Sequence, residues 1–78
     1  MKITAIITPR QPIELERLEL AIERWLLERD STGQKTNFMA KNGVVYLTLN
    51  GLNDEQAANM KSFLEGEWGG VWAEVMWL

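Results

Sequence analysis

The sequence contains neither cysteine nor histidine. These two absences exclude disulfide bonds, thiolate nucleophiles, imidazole general bases and the usual ligands of zinc. An enzyme built from this chain would depend on carboxylates, amines, guanidinium groups, hydroxyls or Tyr46 alone. We therefore expect a protein that is not an enzyme, with no catalytic residue, no bound metal and no cofactor.

Basic residues are also scarce, because eight Lys and Arg stand against eleven Asp and Glu, which gives a formal net charge of −3. Nucleic-acid binding draws on clustered Lys and Arg, so this balance argues against direct nucleic-acid binding. No apolar run approaches the roughly 18 residues of a membrane span, and the apolar stretch near the N-terminus is too short for an export signal. The sequence therefore predicts a soluble, cytoplasmic protein that does not bind membranes.

What the chain does contain is enough apolar material for one small folded domain, with 78 residues of which 46% are hydrophobic. Chains of this length form a single unit, and a core of this size leaves much apolar surface uncovered unless the chain associates. We therefore expect one α+β domain over residues 1–78 that oligomerises, in the simplest case as a homodimer.

The strongest local signal is the dipeptide Asn42-Gly43, which predicts a two-residue type I′ turn in a β-hairpin. Both central positions of this turn need positive φ, which Asn tolerates and Gly adopts freely. The turn sets the strand register, with Lys41 opposite Val44 and the pairing continuing to Thr36 opposite Leu49. Side chains alternate along a strand, so the drier face of the hairpin carries Phe38, Ala40, Val45, Leu47 and Leu49.

Two further segments have the period of helices. The first covers residues 13–29, with Pro12 in its first turn and a core stripe at Leu15, Leu18, Ile22, Trp25 and Leu26. The second begins after Asn53, which serves as the N-cap and forms a capping box with Gln56, and it ends at Gly66. Its core stripe is Ala57, Met60, Phe63 and Leu64.

The first and last strands are predicted at residues 2–8 and 71–78 from their β-branched and aromatic content. The element order is then β-α-β-β-α-β. With right-handed crossovers this order gives a ferredoxin-like sandwich, a four-stranded antiparallel sheet in the order 4-1-3-2 with both helices on one face.

The other face of the sheet is predicted to be apolar as well. An unpaired buried carboxylate is costly, so Glu74 faces away from the helices and the residues two and four positions away share its side. Together with the hairpin register, this places six large apolar residues on the open face: Ile6, Met39, Tyr46, Trp72, Met76 and Leu78. Met and aromatic residues are enriched in the cores of interfaces. We therefore expect these residues to bind a protein partner or a second copy.

A second apolar line is predicted on the first helix. Ile13, Leu20 and Leu27 recur every seven residues on its otherwise charged side. Exposed single leucines are common on protein surfaces, but three in one line indicate a secondary contact stripe.

These features favour a protein-interaction module. A small acidic domain of this kind also suits a phage-type inhibitor that occupies the basic surface of a nucleic-acid-handling defence complex, which is an analogy rather than a motif match.

The alternative is a small-ligand sensor that binds a metabolite at a dimer junction, with Arg10 and Lys35 facing a carboxylate. RNA binding through Tyr46 and Trp72 on the sheet is a further alternative that the acidic balance disfavours. We identify no stretch that carries a family motif.

Overall fold

The computed structural model describes residues 2–29, 33–66 and 73–77. The elements are β1 (Lys2–Pro9), α1 (Leu15–Glu28), β2 (Gln34–Lys41), β3 (Val44–Asn50), α2 (Asp54–Glu65) and β4 (Ala73–Trp77). The strands form one antiparallel sheet in the order β2-β3-β1-β4, which is the predicted order read from the other edge. The ferredoxin-like arrangement predicted from the sequence is confirmed.

One hydrophobic core lies between the helices and one face of the sheet. The helices contribute Leu18, Ile22, Trp25, Leu26, Met60 and Leu64, and the strands contribute Ala5, Ile7, Val45, Leu47, Leu49, Ala73 and Val75. The strand residues in this set occupy alternate positions, as a strand with one buried face requires. The intervening side chains lie on the open face of the sheet.

The β2–β3 turn is type I′, because Asn42 and Gly43 both have positive φ, 54° and 77°. The predicted register holds from the turn back to Asn37, which lies opposite Thr48. The next predicted pair, Thr36 with Leu49, is wrong, because a β-bulge between Lys35 and Asn37 puts Lys35 opposite Leu49. The bulge brings Lys35 to the helix side of the sheet.

Helix α1 begins later than predicted. Glu14 is the N-cap and Leu15 the first helical residue, so Ile13 and Pro12 precede the helix. Leu15 is exposed rather than buried, because the buried stripe begins one turn further on at Leu18. Ile13 packs against the core from the preceding segment.

Helix α2 begins and ends as predicted. Asn53 Oδ1 accepts a hydrogen bond from the Gln56 backbone N–H at 2.8 Å, and Gln56 Oε1 accepts one from the Asn53 backbone N–H at 3.0 Å. These two bonds are the reciprocal pair of a capping box. Gly66 is the C-cap, and its backbone N–H donates to the Ser62 carbonyl. The Phe63 and Trp25 rings, 6.2 Å apart, connect α2 to α1.

Strand β4 has the predicted orientation, since Glu74 is exposed while Ala73 and Val75 are buried. The predicted strand also included Trp72 and Leu78, which lie outside the described residues. Within the described ranges, neither helix has the length and apolar character needed to cross a membrane.

Candidate functional site: the open face of the sheet

The open face carries a continuous line of apolar side chains across the whole sheet. The strand registers align one residue from each strand: Met39 on β2, Tyr46 on β3, Ile6 on β1 and Met76 on β4. We call these four residues the apolar row. With strands about 4.8 Å apart, the row is about 14 Å long.

Exposure along the apolar row is highest at its two ends. Met39 and Met76 are 50% and 58% exposed, whereas Tyr46 and Ile6 on the central strands are half-buried. The sheet neighbours on both sides cover the central residues, and each edge residue has only one such neighbour. Large apolar side chains this exposed, in one contiguous line, mark an interaction surface more often than isolated exposed residues do.

The described side chains that flank the apolar row are polar except for Val44, which is half-buried and lies opposite Lys41. On one side, Asn37, Thr48 and Thr4 lie on adjacent strands. On the other side, Thr8 lies opposite Glu74 on β4, and Lys41 lies on β2 at the far edge. An apolar centre with a polar rim is the usual organisation of protein–protein interfaces.

The sequence placed six residues on this surface, and the structure brings together the four that form the apolar row. Trp72 and Leu78 lie outside the described residues. What sequence analysis missed is that Lys41 and Glu74 lie the same distance along their strands from the apolar row, at opposite edges of the sheet. That relation combines the β2–β3, β3–β1 and β1–β4 registers, and the last two depend on pairing between distant segments that has no local signal.

The predicted placement of Ile13 on the first helix is wrong, and the contact role of the secondary stripe stays a prediction. Ile13 precedes the helix and packs against the core, so it cannot continue a line along the helix surface. Leu20 and Leu27 are 56% and 79% exposed. The helix therefore carries two exposed leucines rather than a three-residue stripe.

The formal charges are divided between the two layers of the fold. Helix α1 carries four glutamates and two arginines, and α2 carries three acidic residues and one lysine, so each helix has a net charge of −2. The four strands carry Lys2, Lys35, Lys41 and Glu74, a net charge of +2. The acidic character of the chain therefore belongs to the helices, and the open face is not acidic.

The two cations proposed as ligand clamps already have carboxylate partners within the chain. Arg10 forms an ion pair with Glu74 at the end of the sheet. Lys35 Nζ lies 2.5 Å from a Glu19 carboxylate oxygen and 3.3 Å from one of Glu23. The hydrogen bond that Lys35 donates to Glu19 raises the pKa of Lys35 above its ordinary value, with a further contribution from Glu23. A carboxylate ligand would have to displace these partners.

A shallow groove of about 480 Å³ lies where the β1–α1 connection meets the hairpin. Its lining is mostly apolar and includes Pro9, Pro12, Leu15 and Ala40, with Arg10 contributing a charge. The described residues include no cluster of three or more side chains suited to hold a metal ion.

Comparison with protein-family models, with curated proteins and with solved structures found no match to this chain. The functional conclusion therefore depends on the surface itself.

Proposed function

We propose that this chain is a non-enzymatic interaction domain that binds a protein partner, a second copy included, through the open face of its sheet. The observation that carries the proposal is the apolar row with its two exposed methionines, Met39 and Met76. Methionine is flexible and polarisable, and exposed Met residues are over-used at protein-binding surfaces.

A protein partner fits this surface better than a nucleic acid does. Sheet-based RNA recognition stacks bases on two or three aromatic side chains, and Tyr46 is the one aromatic residue among the described positions of the open face. The net positive charge of the strands comes from few lysines, one of which, Lys35, is engaged by α1 on the helix side. The remaining lysines do not form the basic stripe that phosphate binding needs.

The second candidate is the small-ligand sensor, and the groove beside Pro9 and Pro12 is the observation in its favour. The groove is open, and Arg10, the one cation among its described lining residues, is paired with Glu74. Binding pockets for small molecules bury most of their ligand, which this groove does not do. We therefore rank protein binding above small-ligand binding.

Adding a charge to the apolar row tests the proposal. Tyr46→Glu and Met39→Glu should leave the fold intact, because neither residue is part of the helix-covered core, and should abolish protein association by placing a charge in a desolvated contact. Ala58→Glu is the matched control, since it adds the same charge at an exposed position on α2. Circular dichroism reports the fold, and light scattering and capture of partners from a lysate report association.

The control should behave as the wild type in every assay. If both row variants keep the association that the wild type shows, the surface lies elsewhere, and Leu27→Glu then tests the exposed leucines of α1. If both variants unfold, the row is part of the core and the face assignment is inverted.

A further inference from the structure

We propose that the occupant of the open face is a second copy of this chain, packed sheet against sheet about a two-fold axis that runs parallel to the strands, between β3 and β1. This inference rests on the proposed function of the open face and adds the partner and the geometry. It follows from the positions of the apolar row and of the two charges beside it.

The proposed rotation exchanges the two edges of the sheet and makes the apolar row complementary to itself. Met39 of one copy then lies against Met76 of the other, and Tyr46 lies against Ile6. Each exposed edge methionine meets the opposite exposed methionine, and the two half-buried central residues meet each other. Stacked sheets whose strands run nearly in line are a common packing geometry.

The same rotation pairs opposite charges. Lys41 and Glu74 lie on the same side of the apolar row, at opposite edges of the sheet. Exchanging the edges places Lys41 of each copy over Glu74 of the other, which gives two equivalent ion pairs per dimer. Stacked sheets lie about 10 Å apart, a gap that extended lysine and glutamate side chains can bridge.

The other face-to-face arrangement does not pair these charges. A two-fold axis along the apolar row would set each row residue against its own copy and would place Lys41 over Asn37. Charges at the rim of an interface contribute mainly to orientation and specificity, so Lys41 and Glu74 distinguish the two arrangements.

The ion pair between Arg10 and Glu74 within one copy is compatible with this contact. Both side chains are largely exposed, at 62% and 67%. Arg10 Nη2 approaches Oε1 of Glu74, and a carboxylate has a second oxygen that can accept from Lys41 of the other copy.

The small area of the face places the proposed dimer among weak interfaces. Four strands about 4.8 Å apart and about seven residues long at 3.3 Å per residue give a footprint of roughly 400 Å². Standard interfaces bury about 800 Å² per partner, and weak encounters lie at the low end of the range. We therefore expect a concentration-dependent dimer with a dissociation constant on the order of 1–100 µM.

Charge reversal tests the geometry. Lys41→Glu places glutamate opposite Glu74, and Glu74→Lys places lysine opposite Lys41. Each variant alone should raise the dissociation constant about 10- to 100-fold, because two like-charged pairs form per dimer. Mixing the two variants restores opposite charges at both contacts, so a heterodimer should form with close to wild-type affinity. Sedimentation equilibrium from about 1 µM to about 1 mM measures all four samples, and circular dichroism verifies each fold.

The outcomes separate the geometry from the function of the face. If the single variants keep wild-type affinity while Tyr46→Glu loses it, the face associates but the axis is wrong. If mixing fails to restore the dimer, the pairing of Lys41 with Glu74 is wrong. If the wild type is monomeric throughout, the second copy is excluded, and the proposed function is then decided by partner capture with Tyr46→Glu.

Glu74→Lys also removes the contact with Arg10, which could impair folding of that variant. In that event Lys41→Glu is compared with Lys41→Glu combined with Glu74→Gln. The combination removes the like-charge repulsion, so it should bind more tightly than Lys41→Glu alone if the proposed contact forms. Equal affinity of the two would overturn the contact.

Discussion

At the turn between β2 and β3, the backbone of Gly43 has a φ of 77°, a conformation that residues with a Cβ rarely adopt. A Cβ added to Gly43 would meet nothing within 4 Å. The cost of a substitution there is therefore backbone strain rather than a steric clash with neighbouring residues.

Gly43→Val should destabilise the fold by about 1–3 kcal/mol, because a β-branched residue resists positive φ. Gly43→Asn is the matched control and should cost less, since Asn tolerates this conformation. Denaturant unfolding of the three proteins measures the difference. Equal stability of Gly43→Val and the wild type would show that this residue does not need positive φ.

Among the elements, α1 and β2 are joined by ion pairs of Lys35. Its Nζ bonds two α1 carboxylates, those of Glu19 and Glu23, and lies 5.9 Å from the Phe38 ring centroid. The bulge between Lys35 and Asn37 turns this lysine to the helix side. The ion pairs therefore depend on the irregularity of the strand.

Lys35→Met should destabilise the fold by about 1 kcal/mol at neutral pH, because it removes the cation between two nearby carboxylates. The folded-state pKa of Lys35 is raised above its ordinary value of 10.5. The stabilisation is thus fully present below pH 10.5 and is lost as the pH rises through the raised value.

The difference in unfolding free energy between wild type and Lys35→Met should therefore shrink above pH 10.5. Arg24→Met is the control, because Arg24 pairs with Glu28 only along the exposed surface of α1, at 3.6 Å; its cost at neutral pH should be a few tenths of a kcal/mol. A difference for Lys35→Met that stays constant through the alkaline range would show that the ion pairs do not stabilise the fold.

The elements that were predictable from sequence are those with local causes. The I′ turn depends on Asn42 and Gly43 alone, and the capping box on Asn53 and Gln56, so both could be predicted from adjacent residues. The bulge at Thr36 depends on contacts made across the sheet. The Thr36 hydroxyl donates a hydrogen bond to the Thr48 carbonyl at 3.3 Å. No local sequence pattern specifies this contact.

The candidate site was likewise predictable only where the cause is local. Alternation along each strand was enough to assign Met39 and Tyr46 to the open face, and the cost of burying Glu74 was enough for Met76. The alignment of Lys41 with Glu74 was not predictable, because it combines three strand registers. The late start of α1, which removed Ile13 from the predicted stripe, likewise depends on how the segment after β1 meets the core.

For the whole molecule, the fold separates an acidic helix layer from a sheet whose open face is apolar at its centre. A dimer formed through the sheets would bury the apolar row and leave the acidic helices outward, where their charge would favour solubility of the dimer. A chain of this size gains buried apolar area most readily by such pairing.

The most direct measurement is the concentration dependence of the methionine methyl signals by NMR, with ¹³C-labelled methionine. Met39 and Met76 lie at the two ends of the apolar row, and Met60, fully buried at 0% exposure, is an internal control in the core. We expect the Met39 and Met76 signals to shift together as the protein is concentrated while the Met60 signal stays in place. Constant Met39 and Met76 signals across a range in which the mass rises would show that the chain associates through another surface, and would contradict the assignment of the open face.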